Sequence, residues 1–271
     1  MMLKDRIISS SLWILFLWLV IFILPSWAFA VVATVLVGLG LYEFFNMIAK
    51  KNILIYKYFG IITGCLVVAA AYFRYKPTQE IEFMLITTVC LVVFLLQFTR
   101  RNTEHAVAGI ATTMFGIFYI GWFFSFMIKL RMAPPQGLDG KLLVLYLLLV
   151  TKSGDVAAFF LGTVFGKHQL IPRISPKKSV EGTVAGVITS FVMAVALRGL
   201  LPIVHITHIY IIGLILSLTS QIGDLSESLI KRDCKVKDSG SLFPGLGGIL
   251  DLIDSLLFAT PIFYFYLRLI P

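Results

Sequence analysis

Six ionisable side chains fall within, or at the ends of, runs of sequence that are otherwise apolar: Lys152, Asp155, Asp224, Glu227, Asp251 and Asp254. Their spacing is helical. Ser220, Asp224, Glu227, Ser228 and Lys231 recur at i, i+4, i+7, i+8 and i+11, Asp251, Asp254 and Ser255 at i, i+3 and i+4, and Lys152 and Asp155 at i and i+3. Each set therefore makes one polar stripe on a helix. A charge at the centre of a bilayer costs roughly 2.5 to 3.5 kcal/mol even on the lenient insertion scale, so three such stripes should face one another and not lipid. Lys152 and Asp155 read either as a structural ion pair or as part of a polar cavity. Four acids on two neighbouring helices are harder to neutralise by pairing. Crowded carboxylates repel, and either protonate or hold a cation, for which oxygen donors suit Mg²⁺.

Two basic stretches add the complementary charge. The first, "GKHQLIPRISPKKSVEGT", runs from Gly166 to Thr183 and carries Lys167, Arg173, Lys177 and Lys178. It ends on Ser179 at the predicted start of a helix, where free backbone N–H groups and the dipole favour an anion. The alternative reading is a basic loop that only sets topology. The second stretch places Lys231, Arg232, Lys235 and Lys237 before the turn-rich segments "DSGS" and "FPGLGG", with the acids at 251 and 254 following at once. Carboxylates, lysines and glycine-rich turns at one membrane face suit Mg²⁺-dependent chemistry on phosphates. No Walker-type and no dinucleotide-binding glycine motif is present.

The elements that carry these residues follow from composition. Of 271 residues, 59% are hydrophobic and 14% charged, and mean hydropathy is +0.94. A soluble domain could not bury so much apolar surface. A span needs about 20 apolar residues in a helix. Nine such runs lie near 7–25, 27–48, 54–73, 81–98, 106–128, 142–166, 183–201, 209–230 and 248–270. The expected fold is thus all-α, a polytopic integral membrane protein of about nine transmembrane helices. The first run, though trailed by Ala28-Phe29-Ala30, reads as a span and not as a cleaved signal, because its apolar core is long and hydrophobicity resumes directly. An N-terminus inside puts fifteen Lys and Arg residues on the cytoplasmic side and seven on the other, which favours a cytoplasmic N-terminus and a C-terminus on the opposite side.

The chain divides in character. Residues 1–141 form a region of about five helices, a scaffold with lipid or oligomer contacts. Residues 142–271 form a catalytic region of about four helices, with cytoplasmic loops at 167–182 and 232–247. Glu43 is the exception in the first region, read either as an interfacial acid neutralised by Lys50 or Lys51 or as support for the site. The net charge of +9 reads as topology and attraction to anionic headgroups or phosphates, with no nucleic-acid partner. Three scattered cysteines and four histidines indicate neither a disulfide framework nor a zinc site.

The segment from Ser228 to Ser255 resembles the signature of the bacterial phosphatidate cytidylyltransferases, or CDP-diacylglycerol synthases. Ser228, Lys231, Arg232, Lys237, Asp238, Gly240, Gly247, Gly248, Asp251 and Asp254 stand at matching positions. "SPKKSVEG" (175–182) and "GDVAAFFLG" (154–162) are similar to two further family motifs. Leu246 replaces a histidine of the signature and Leu252 an arginine, which implies a variant subgroup that stays active. The resemblance implies transfer of CMP from CTP to phosphatidic acid, giving CDP-diacylglycerol and pyrophosphate. It implies catalytic roles for Asp155, Asp224, Lys231, Asp238 and Asp251, and substrate contacts from Arg173, Lys178, Ser179, Gly182, Ser228, Arg232, Lys237 and Ser239. Mg²⁺, with a second cation an open option, would be held by Asp224, Asp251 and Asp254. The expected setting is the inner (plasma) membrane with the site facing the cytoplasm, among membrane lipids, with a homodimer left open. A CTP-dependent polyprenol-type lipid kinase, a transporter and a non-catalytic relative are the rival readings.

Overall fold

The computed structural model describes residues 3–73, 79–100, 104–135, 137–240, 242 and 247–270, with the backbone alone for 3–10 and 79–83. Every predicted apolar run is helical. Helix α1 (Leu3–Trp18) continues through a π-helical turn, Leu19–Ile23, and is followed by α2 (Ser26–Ala49), α3 (Lys57–Phe73) and α4 (Gln79–Phe98). Helices α5 (Ala106–Gly116) and α6 (Phe123–Met132) are joined without a break by a second π-helical turn, Ile117–Trp122. Then come α7 (Gly140–Phe165), α8 (Val180–Ala196), α9 (Ile206–Asp233) and α10 (Ile249–Leu269). Among the described residues, five segments are long and apolar enough to cross a membrane: α2, the continuous rod Ala106–Met132, α7, α9 and α10. Four further apolar helices are shorter. Large apolar side chains such as Val184, Ile188 and Val192 of α8 are more than half exposed at helical spacing. An exterior of that kind is fitted to hydrocarbon and not to water.

The main hydrophobic core runs through both halves of the chain, from Val20 and Ile21 through Phe44, Tyr146 and Leu216 to Leu267, and a small second cluster gathers Val67, Val89 and Ile117. In the first half α2 packs on α3, and in the second α7, α8, α9 and α10 pack successively, with α10 also lying against α2 and α6. Interhelical hydrogen bonds fix α7 on α8: the Ser190 hydroxyl donates to the Val150 carbonyl at 2.8 Å, and the Tyr146 hydroxyl to the Ala194 carbonyl at 3.1 Å. Between helices in lipid, where no hydrophobic force draws one helix to another, small residues and such bonds set the approach. Gly223 of α9 does this where the acids lie. A Cβ there would stand 3.1 Å from the Ser255 Cα and closer still to the Asp254 carbonyl oxygen, so only glycine admits this contact with α10.

One feature departs from the all-helical expectation. Within the predicted loop 167–182, β1 (Gln169–Ile171) pairs antiparallel with β2 (Ser175–Ser179). Proline at 172 and 176 and the absence of apolar alternation leave no strand pattern to read in that segment. The hairpin delivers Lys177 and Lys178 next to the start of α8.

Candidate active site

The three stripes face one another, as their spacing predicts. On α10, Asp251 sits in the first turn and its carboxylate folds back to the helix start. There Oδ2 accepts from the Gly248 N–H at 2.8 Å, from the Ser239 N–H at 3.2 Å and from the Ser239 hydroxyl at 2.8 Å. Its other oxygen receives Lys231 Nζ from α9 at 2.5 Å, and the same ammonium meets Glu227 Oε2 at 2.5 Å. Glu227 is fully buried, and its Oε1 finds no hydrogen-bond partner among the described residues.

One turn further into α10, the buried Asp254 carboxylate accepts the Ser255 N–H at 2.5 Å and lies within electrostatic reach of Asp224, Lys152 and Asp155. The Ser255 hydroxyl donates to Asp155 Oδ2 at 2.9 Å, and Lys152 Nζ bridges Asp155 Oδ2 at 3.1 Å and the Ser255 hydroxyl at 2.8 Å. Asp155 Oδ1 is a second buried oxygen without a hydrogen-bond partner among the described residues. Asp224 on α9 pairs with Lys178, reaching over from β2. The cluster is therefore built from α7, α9, α10 and the hairpin. Lysines face Asp155, Asp224, Glu227 and Asp251.

The remaining predicted residues divide. Ser179 is the N-cap of α8, its hydroxyl accepting the Gly182 N–H at 3.1 Å, so both belong to the cap in this state. Glu181 turns back to the loop and accepts the Lys167 N–H at 3.0 Å and the His168 N–H at 3.2 Å. Arg232 braces the hairpin, donating to the Ile174 carbonyl at 3.1 Å and to the Val236 carbonyl at 3.3 Å. Ser228 is buried on the α9 stripe. Arg173, Lys237 and Asp238 are exposed on the loops and Lys177 on β2. Leu252 packs partly buried against the core, whereas Leu246 lies outside the described residues.

Glu43 is the residue whose place the sequence left open. It does not pair with Lys51, which reaches Asp233 at 2.5 Å. Buried on α2, its carboxylate accepts the N–H groups of Ile249 at 3.0 Å and Leu250 at 2.9 Å, and the Ser239 hydroxyl lies 3.0 Å away. An acid from the first half thus caps the helix that carries Asp251 and Asp254. The capping follows from the dipole and free amides of a helix start. An acid in an apolar span was the only signal for it in the sequence. Lys152, Glu227 and Ser255 had more: each was already legible as a member of a stripe.

Hard oxygen donors, two of them buried without partners, suit a divalent cation such as Mg²⁺. Among the described residues no three acidic, histidine or cysteine side chains already converge on one point.

The sequence profile of the cytidylyltransferase family matches residues 4–270. The chain belongs to the cytidylyltransferase family. A phosphatidate cytidylyltransferase of Bacillus subtilis is 32% identical over 269 residues, 98% of each chain. One from Synechocystis is 31% identical over 291 residues, covering 98% of this chain and 97% of that one. The uncharacterized protein YnbB of Escherichia coli is 37% identical over 184 residues, a match spanning 66% of this chain and 61% of YnbB. The matches to the two named enzymes run through both halves, so the scaffold helices belong to the family unit as much as the acidic ones do.

Proposed function

We propose that the protein is a phosphatidate cytidylyltransferase, joining CTP and phosphatidic acid to give CDP-diacylglycerol and pyrophosphate. The observation that carries this reading is the convergence of Asp155, Asp224, Glu227, Asp251 and Asp254 from α7, α9 and α10 with Lys152, Lys178 and Lys231, inside a chain that matches the family nearly end to end.

A phosphate oxygen of the lipid attacks the α-phosphorus of CTP in line. The bond from that phosphorus to the α–β bridging oxygen breaks, and pyrophosphate leaves with the electron pair. The lipid phosphate is already ionised, so no side chain need remove a proton from it. This agrees with the site, where the acids are engaged by lysines and serines. Catalysis is then positioning and charge stabilisation. Asp224, Asp251 and Asp254 would hold Mg²⁺, which when bound offsets charge on the phosphates. Lys178 and Lys231, released from their acids, turn to phosphate oxygens, and exposed Arg173 and Lys237 with Arg232 draw the anions to the loops. Ser179, Gly182, Ser228, Ser239 and Asp238 complete the wall around them.

The chain crosses the inner membrane nine times in this account, with its N-terminus and the 167–182 and 232–247 loops in the cytoplasm and its C-terminus outside, as the Lys and Arg distribution supports. The mass of the protein in nanodiscs would decide whether it forms the homodimer left open by the sequence.

The position of a radiolabel tests the reaction. Purified protein with phosphatidic acid and Mg²⁺ should move label from α-labelled CTP into lipid and release it from γ-labelled CTP as pyrophosphate. Transfer of the γ label to a polyprenol would instead make the protein a kinase and sink the proposal.

A further inference from the structure

Tyr119 lies in the middle of the rod Ala106–Met132, in a run of aromatics, "FGIFYIGWFF". It occupies the π-helical turn Ile117–Trp122. Such turns insert a residue into the helix, re-aim the side chains that follow, and recur at functional sites. The ring is held on several sides. It stacks on Phe115 with centroids 5.2 Å apart and 9° between planes, and meets Phe123 at 6.2 Å and Phe258 of α10 at 5.8 Å.

Phe258 stands one helical turn after Asp254, so the two share a face of α10. A ring packed on Phe258 therefore lies along the side of α10 that carries Asp254. Asp254, Glu227 and Asp224 are the three charged groups in electrostatic reach of it. The residue is 2% exposed, yet its hydroxyl has no hydrogen-bond partner among the described residues.

A buried hydroxyl left unpaired costs about 1–3 kcal/mol, and phenylalanine would fill the same space without that cost. A buried donor that feels the field of these carboxylates and has no partner among the described residues is placed for something that comes to the carboxylates. What comes, once a cation has offset their charge, is an acceptor oxygen.

We propose that the Tyr119 hydroxyl is a substrate contact, donating a hydrogen bond to a phosphate oxygen bound at the acidic cluster. The inference rests on reading that cluster as the cytidylyltransferase centre. The phosphate belongs either to the nucleotide or to the lipid headgroup, and the test separates the two.

Tyr119→Phe removes one oxygen and keeps the packing. In nanodiscs its thermal midpoint should equal or exceed that of the unaltered protein, since no protein hydrogen bond is lost. Its kcat/KM should fall about 10- to 100-fold, the range for one hydrogen bond to a charged group. Equilibrium binding of CTP and of dioctanoyl phosphatidate, each with Mg²⁺, identifies the source: the ligand whose affinity weakens is the one contacted. Equal kcat/KM and equal affinities for both ligands would overturn the proposal. So would a loss of activity matched by a lowered thermal midpoint, which would make the hydroxyl structural. If the unaltered protein binds these ligands but forms no CDP-diacylglycerol, the activity reading fails by itself, and the binding comparison still decides the role of Tyr119.

Discussion

Asp251 is the most heavily engaged of the acids, holding Lys231, Ser239 and the Gly248 N–H at once. Asparagine there keeps the shape but loses the charge that holds Lys231 and would hold a cation, so Asp251→Asn should lower kcat by at least about 100-fold while the protein stays folded and monodisperse. Glu43 acts differently, through the helix it caps. Glu43→Ala leaves the Ile249 and Leu250 N–H groups buried and unpaired, a cost of about 2 kcal/mol or more. A lowered thermal midpoint together with lost activity is expected. An unchanged midpoint would show that water replaces the cap. The stripes on α7, α9 and α10 were legible because a charge in an apolar run is costly and helical spacing says which residues share a face. Glu43 was left between two readings, pairing with a lysine or supporting the site, and Tyr119 was not singled out. One has no stripe and finds its partners some 200 residues away, and the other stands among aromatics in a helix whose π turn leaves no mark in the pattern.

At the scale of elements, the site depends on how closely α9 approaches α10. Gly223 sets that distance, and Asp224 follows it directly. Gly223→Val should force the two helices apart, with activity falling about 100-fold or more. Retention of full turnover would mean that the acids need not be held together by this contact. The hairpin is the other element the site needs, because it alone carries Lys178 to Asp224. Lys178→Ala should raise the KM for a phosphate-bearing substrate about 10-fold and change kcat less, whereas an unchanged KM would restrict Lys178 to its pairing with Asp224. The helical runs could be read from hydropathy because a bilayer demands long apolar stretches, which five of the described segments supply in full. The hairpin could not, since its short strands carry prolines and charges and are set by the elements on either side: the Val180 N–H donates to the His168 carbonyl at 2.8 Å, and Arg232 grips the tip at Ile174.

At the scale of the whole molecule, the two halves differ in composition but share one core and one capping carboxylate, so neither region is expected to fold into an active piece alone. That also gives the family match across residues 4–270 a physical reason: α2 and α6 back the helix that bears two of the acids. The orientation drawn from charge can be read with a cysteine introduced at exposed Asp238, in a background lacking Cys65, Cys90 and Cys234. A membrane-impermeant thiol reagent should label it in inverted vesicles and not in intact cells. The central claim is that these converging acids and lysines carry out cytidylyl transfer to phosphatidic acid. It is tested most directly by incorporation of α-labelled CTP into lipid by the purified protein and by Asp251→Asn, with and without Mg²⁺. The account predicts CDP-diacylglycerol from the unaltered protein only with Mg²⁺ and phosphatidic acid, and at least about 100-fold less from the variant; equal product from both would contradict it.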